Sequence, residues 1–109
     1  MPGSPLLPAD HVLVRTTPEF NEESVPPALL ATHATAVGVW GNLVVLEGRA
    51  TFVFEDEADA PYLLGPTDTV AIAPQRPHRV VITGPVRFVV EFYRHRSDVV
   101  VATPSTPDQ

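Results

Sequence analysis

Two of the four histidines, His33 and His78, stand where a metal site or a binding pocket could form. Each lies at a predicted loop-to-strand junction, and His78 follows a stretch, residues 73–77, that two prolines make rigid. Neutral imidazoles from separated segments are the usual nucleus of a Zn, Fe, Ni or Mn site. The alternative is that each ring only hydrogen-bonds to the backbone. His11 and His95 stand near the ends of predicted strands, beside charged or proline-rich segments, and we interpret both as surface residues.

A third ligand is needed, because two imidazoles do not hold a metal ion firmly. Glu91 is the candidate, since it is a lone carboxylate in a run, residues 86–93, that is otherwise suited to burial. A hairpin that turns at Gly84 would bring Glu91 opposite His78 if the pairing contains a one-residue bulge. A tight pairing would bring Val90 there instead.

The predicted metal ligands are therefore His33, His78 and Glu91. The cofactor would be a divalent ion, and the sequence does not select among Zn, Fe, Ni and Mn. In the alternative interpretation, Glu91 points outward and pairs with Arg79 or Arg87.

Three further residues are predicted to line the same pocket. Thr35 stands two positions after His33 and shares its face if that segment is extended. Trp40 and Tyr93 are the aromatic candidates, although such residues more often serve packing. The predicted ligand of this pocket is a small molecule or an oxyanion.

Composition excludes several other classes of protein. The chain has 109 residues, enough for one domain, and a net charge of -6 that disfavours binding to nucleic acid. It has no cysteine, so disulfides and zinc–thiolate sites are excluded. No apolar run approaches the roughly 18 residues that a membrane-spanning helix needs. The start of the chain also lacks the pattern of a signal peptide, so we expect a cytoplasmic protein without a membrane partner.

Alternating apolar residues predict an all-β protein. Short strands recur at the spacing typical of a barrel or sandwich, and one short helical turn is expected near residues 26–30. Residues 39–54 are predicted to form a hairpin that turns at Glu47 and Gly48. The inward face of that hairpin would carry five apolar residues, namely Leu43, Val45, Ala50, Phe52 and Phe54.

The predicted domain is a barrel over residues 1–96, followed by a tail over residues 97–109. Residues 99–101 are a candidate edge strand within that tail. An exposed apolar edge could pair two copies of the chain, so a homodimer is a further expectation.

Several of these motifs resemble those of known proteins. The turn at Thr67 and Asp68, the proline-rich loop at 73–77 and the histidine that follows resemble the second motif of the cupin superfamily. At the first cupin motif, His33 matches the first histidine, Thr35 replaces the second, and the usual glutamate is missing. The standard set of three histidines and one glutamate is therefore incomplete.

A more extensive resemblance, over residues 6 to 94, is to the small cupin-like family of YeaR and the N-terminal domain of TehB-type tellurite-resistance proteins. The matching segments are residues 17–20, 25–35, 38–41, 45–48, 74–80 and 88–93. The resemblance implies a double-stranded β-helix, a jelly-roll barrel, and a link to tellurite resistance or to nitrate, nitrite or nitrosative stress.

Three functions remain open from the sequence. The first is a metal-binding cupin with positions left free for a small ligand. The second is a binding or stress-response module that holds a small molecule without metal or turnover. The third is a metal-dependent dioxygenase or isomerase acting on a small organic substrate.

Overall fold

The computed structural model describes residues 5–99, which are mostly β-structure. The strands are β1 (His11–Thr16), β2 (Phe20–Asn21), β3 (Trp40–Gly48), β4 (Ala50–Phe54), β5 (Tyr62–Leu64), β6 (Thr69–Ile72), β7 (His78–Val81) and β8 (Val86–His95). A one-turn helix, α1 (Pro27–Leu30), and two 3₁₀ turns, Glu55–Glu57 and Arg96–Asp98, make up the rest of the regular structure in this range. Within residues 5–99, no helix has the length and hydropathy that a membrane-spanning helix requires.

The strands form two antiparallel sheets. The five-stranded sheet has the order β1–β8–β3–β6, with β2 also paired to β8, and the three-stranded sheet has the order β5–β4–β7. A single antiparallel bridge at His33 extends the second sheet beyond β7. The chain crosses from one sheet to the other four times after β3: between β3 and β4, between β5 and β6, between β6 and β7, and between β7 and β8. Such repeated crossing between two facing antiparallel sheets is a jelly roll, so the predicted all-β cupin fold is confirmed.

The core lies between the sheets, because alternate residues of each strand point inward. Its largest fully buried side chains are Phe52, Phe54, Phe88, Leu43, Val45 and Val70. Phe20 of β2 and Leu29 of α1, both in the segment that precedes β3, also pack against this core.

The predicted hairpin over residues 39–54 is wrong. β3 pairs with β6 and β8, whereas β4 pairs with β5 and β7, so the chain crosses from one sheet to the other after Gly48. Alternation along a strand fixes which residues face the core, but it carries no information about the partner strand. The five residues assigned to the inward face are accordingly all buried.

The predicted hairpin that turns at Gly84 is also wrong. β7 pairs with β4, which sets His78 opposite Phe54, while β8 pairs with β3, which sets Glu91 opposite Asn42. His78 and Glu91 therefore belong to different sheets. The candidate edge strand at residues 99–101 falls almost wholly outside the described residues, as does the tail that follows it.

Candidate functional site

His33 and His78 lie directly opposite each other in an antiparallel bridge. Each donates its backbone N–H to the carbonyl of the other, at 2.9 Å from His33 and 2.8 Å from His78. Residues paired in this way project their side chains from the same face. The two imidazole rings accordingly meet edge to face, with centroids 4.2 Å apart.

The hydrogen bonds of the two rings define their tautomers. Nδ1 of His33 lies 2.9 Å from the carbonyl oxygen of Ala31, and Nδ1 of His78 lies 2.7 Å from that of Arg76. Because a carbonyl oxygen only accepts, Nδ1 is the donor in both rings, and Nε2 of the neutral ring carries a lone pair. Neither Nε2 has a hydrogen-bond partner within residues 5–99. Both Nε2 atoms can therefore accept a hydrogen bond or bind a metal ion.

His78 is almost completely buried, with 2% of its surface exposed. Its ring stacks on Phe52, with centroids 5.3 Å apart and an angle of 20° between the planes. Burial lowers the pKa of His78, and a positive charge on His33 would lower it further, although the bond to the Arg76 carbonyl opposes these effects. The ring is consequently neutral at about pH 7.

A cavity of about 180 Å³ lies beside the two imidazoles, between the sheets. Thr35 and both histidines line it, and most of the remaining wall is apolar, including Leu43, Phe52, Ile72, Val80, Val90 and Phe92. An apolar cavity of similar size, about 150 Å³, is known to accept benzene. The site thus combines an apolar chamber with a small number of polar atoms at its edge, as ligand pockets commonly do.

Hydrogen bonds to one carboxylate, that of Glu55, connect the segment before His33 to the strand that begins at His78. Glu55 accepts hydrogen bonds from Thr32 at 2.7 Å and from Arg79 at 3.1 Å, which ties together the residues adjoining His33 and His78. Glu55 begins an acidic run, residues 55–59, whose composition alone predicts no more than a solvated loop. Arg76 and Arg79, which flank His78, could have indicated these contacts, because their positive charges complement the negative charges of the acidic run.

The proline-rich loop is fastened in a similar way. Nη2 and Nε of Arg76 lie 2.8 and 3.0 Å from the two carboxylate oxygens of Asp56, and the guanidinium also stacks 3.6 Å from the ring centre of Phe54. The hydrogen bonds from Arg76 hold the pKa of Asp56 below its usual range. The loop that delivers His78 is therefore held by both charge and aromatic contact.

The structure does not bring Glu91 to the two histidines. Val90 and Phe92 line the cavity, so Glu91 between them points to the outer face of the five-stranded sheet. There its Oε1 accepts hydrogen bonds from Asn42 Nδ2 and from the Tyr93 hydroxyl, each at 3.0 Å. It pairs with neither of the arginines proposed as alternative partners.

Of the predicted pocket residues, Thr35 lines the cavity but Trp40 and Tyr93 do not. The two aromatic residues are opposite each other in register on β3 and β8, on the same outer face as Glu91. The described residues contain no group of three or more His, Cys, Asp or Glu side chains placed to hold a metal ion. Among the described residues, His33 and His78 are the only His, Cys, Asp or Glu side chains that line the cavity.

Burial of neutral His78 predicts a specific loss of stability in acid. The unfolded chain takes up a proton near the ordinary histidine pKa of 6.5, whereas the folded protein resists it. Because the unfolded state then binds more protons, the free energy of unfolding should fall as the pH drops below about 6.5, by at most about 1.4 kcal/mol per pH unit.

Urea unfolding between about pH 7.5 and 5.5 measures this effect. The variant His78→Phe keeps a buried ring without a titrating nitrogen, so it should lose less stability over this range than the wild type. His95→Phe, which removes an exposed imidazole, is the control and should follow the wild type. Equal pH dependence in all three proteins would contradict the prediction.

A jelly roll with a histidine-lined cavity between its sheets is a small cupin-type domain. The family model described as the TehB-like domain matches residues 15–90, and the chain belongs to this family. Comparison with curated protein sequences gives no match.

Two solved structures are closely similar in fold. TehB from Haemophilus influenzae has a TM-score of 0.74 at 25% identity, over 83% of this chain and 33% of that one. A protein from Escherichia coli K12 has a TM-score of 0.72 at 22% identity, over 81% of this chain and 94% of that one. The chain thus spans about a third of the length of the Haemophilus TehB and almost all of the E. coli protein.

Proposed function

We propose that this TehB-like domain binds a small molecule in the cavity between its sheets, with Nε2 of His33 and of His78 as the polar contacts. The observation that supports this most strongly is Nε2 of His78, which has no hydrogen-bond partner within residues 5–99 although its ring is 2% exposed and borders an apolar cavity. A buried acceptor without a partner costs about 1–3 kcal/mol, which a ligand that donates a hydrogen bond would recover. The expected ligand therefore has an apolar body of about the size of benzene and at least one O–H or N–H group.

Phenol and toluene are matched probes for this proposal, because they differ by the hydroxyl donor. Wild-type protein should bind phenol about tenfold more tightly than toluene, the effect of one buried hydrogen bond of about 1.4 kcal/mol. In His78→Phe the preference should largely disappear, since the ring remains but its nitrogens are gone. Isothermal titration calorimetry measures both affinities.

His95→Phe is the control for this experiment, because His95 is exposed and does not border the cavity. It should retain the wild-type preference for phenol. Binding of neither compound by the wild type, or an unchanged preference in His78→Phe, would contradict the proposal.

A divalent metal ion at the two imidazoles is a second candidate. The described residues do not provide three protein ligands, so water or the bound molecule would have to complete the coordination sphere. A bound Zn, Fe, Ni or Mn ion would supply Lewis-acid chemistry, and iron could supply redox chemistry. Elemental analysis of wild-type protein and His78→Phe distinguishes the two candidates: about one equivalent of metal, lost in the variant, would favour the metal-dependent form.

The biological setting of the proposal comes from the family resemblance. A cytoplasmic role in tellurite resistance or in nitrite or nitrosative stress would make compounds formed under those conditions the first ligands to screen. The same two variants would then distinguish binding at the histidines from binding elsewhere.

A further inference from the structure

The inner face of β8 changes from apolar to charged along the strand. Phe88 is buried in the core, Val90 and Phe92 line the cavity, and Arg94 lines an open groove of about 410 Å³. Thr35 and Phe92 border both the cavity and the groove. The groove therefore adjoins the cavity on the side where the strand becomes charged.

A second arginine, Arg15, lines the same groove from β1. Arg15 is opposite Phe92 and Arg94 is opposite Val12, so the two arginines occupy neighbouring diagonal positions on one face. The guanidinium of Arg15 lies 4.9 Å from the ring centre of Phe92. Nη1 of Arg94 lies 3.5 Å from the point where a Cβ on Gly38 would stand, so it rests over a residue without a side chain.

These two arginines differ from most others in the chain. Salt bridges to carboxylates engage Arg76, Arg79, Arg87 and Arg96. Within residues 5–99, Arg15 and Arg94 form no salt bridge and no side-chain hydrogen bond, and no acidic residue lines their groove. The chain has 13 acidic residues and a net charge of -6, so carboxylates are not scarce.

Neighbouring positive charges repel each other, and an anion placed between them would relieve that repulsion. A guanidinium matches a carboxylate particularly well, because its planar N–H groups can bond both oxygens. The adjoining cavity is mostly apolar, and its volume of about 180 Å³ is large enough for a body of about the size of benzene. These features together favour an anion that carries an apolar group over a bare inorganic ion.

We propose that Arg15 and Arg94 form an anion-binding site at the cavity mouth, and that the ligand is a small organic carboxylate. Its apolar body would occupy the cavity and its carboxylate would lie between the two guanidiniums. This inference rests on the proposed function, since it assigns a second polar contact to the same ligand.

The probes are para-hydroxyphenylacetate and its neutral analogue para-hydroxyphenylethanol, which share the phenol and differ by the charge. Wild-type protein should bind the carboxylate about tenfold or more tightly than the alcohol, as expected for hydrogen bonds to charged groups. This preference should shrink as ionic strength rises. Arg15→Gln and Arg94→Gln should each remove most of it, and both should bind phenol as the wild type does.

Arg49→Gln is the matched control, because Arg49 also has no salt bridge within the described range but lies at the β3–β4 crossing, outside the groove. It should retain the full preference for the carboxylate. A wild type that binds phenol but shows no preference for the carboxylate would overturn this inference and leave the proposed function standing. Equal losses in all three arginine variants would also overturn it.

Competition by nitrate tests whether the ligand needs an apolar group in addition to its negative charge. It should compete only weakly with para-hydroxyphenylacetate, because it has no group to fill the cavity. Competition as strong as that of an organic carboxylate would overturn the organic class and leave a site for bare anions. Failure of the wild type to bind phenol at all would instead refute the proposed function.

Discussion

Gly48→Ala is expected to unfold the domain or to lower its urea midpoint severely. Gly48 has a φ of +78°, and a Cβ at this position would stand 2.1 Å from the Pro85 carbonyl oxygen and 2.8 Å from Val86 Cα. The backbone conformation alone costs a residue with a side chain about 1–3 kcal/mol. The overlap with the Pro85 and Val86 backbone adds to this, and a small domain has only about 5–15 kcal/mol of stability in total.

Gly84→Ala is the matched control for this substitution. Gly84 stands in a later crossing, between β7 and β8, and a Cβ there would meet no atom within 4 Å. Its stability should remain within about 0.5 kcal/mol of the wild type, as is usual for surface substitutions. Urea unfolding of the three proteins measures the difference, and equal stability of the two alanine variants would contradict the close approach at Gly48.

Phe52→Ala should have the second largest effect, because it acts on both the core and the site. Phe52 is 1% exposed, meets Phe54 edge to face with centroids 4.9 Å apart, and stacks on His78. Truncation of a buried phenylalanine typically costs about 3–5 kcal/mol. Removal of the ring would also leave the His78 imidazole without its stacking partner, so phenol should bind more weakly.

Phe88→Ala separates these two effects. Phe88 is fully buried in the same core but does not line the cavity. This variant should lose a similar amount of stability in urea and still bind phenol with the wild-type preference over toluene, measured where both variants are folded. Equal loss of phenol affinity in both variants would show that the effect on binding is only a consequence of destabilisation.

The parts of the fold that depend on local alternation could be predicted from the sequence. Alternation predicts that Leu43, Val45 and Phe52 face the core, and all three are buried there. The partners of their strands could not be predicted, because the crossings at Gly48 and Gly84 have the same glycine-containing sequence as a tight hairpin turn. In a jelly roll most neighbouring strands are distant in sequence, so the natural assumption that successive strands pair fails at both hairpins.

The candidate site, like the fold, could be predicted only in part. His33 and His78 could be predicted, because both lie at loop-to-strand junctions that the sequence reveals. The structure brings their two rings together. The proposed position of Glu91 depended on a pairing between β7 and β8 that does not exist. Its outward direction does follow from alternation along β8, because Phe88, Val90 and Phe92 share the inner face. The inward position required a bulge in the expected hairpin, and that hairpin does not form.

The position of β8 also determines when the protein can acquire its structure. β1 and β3 both pair with β8 and not with each other, so β8 joins the first paired strand of the sheet to the rest. During synthesis, residues 86–95 leave the ribosome after every other strand in the described part of the chain. The larger sheet therefore assembles in a late step that brings together segments far apart in sequence. Such topologies fold slowly, and their unpaired strands are exposed to aggregation until the last strand arrives.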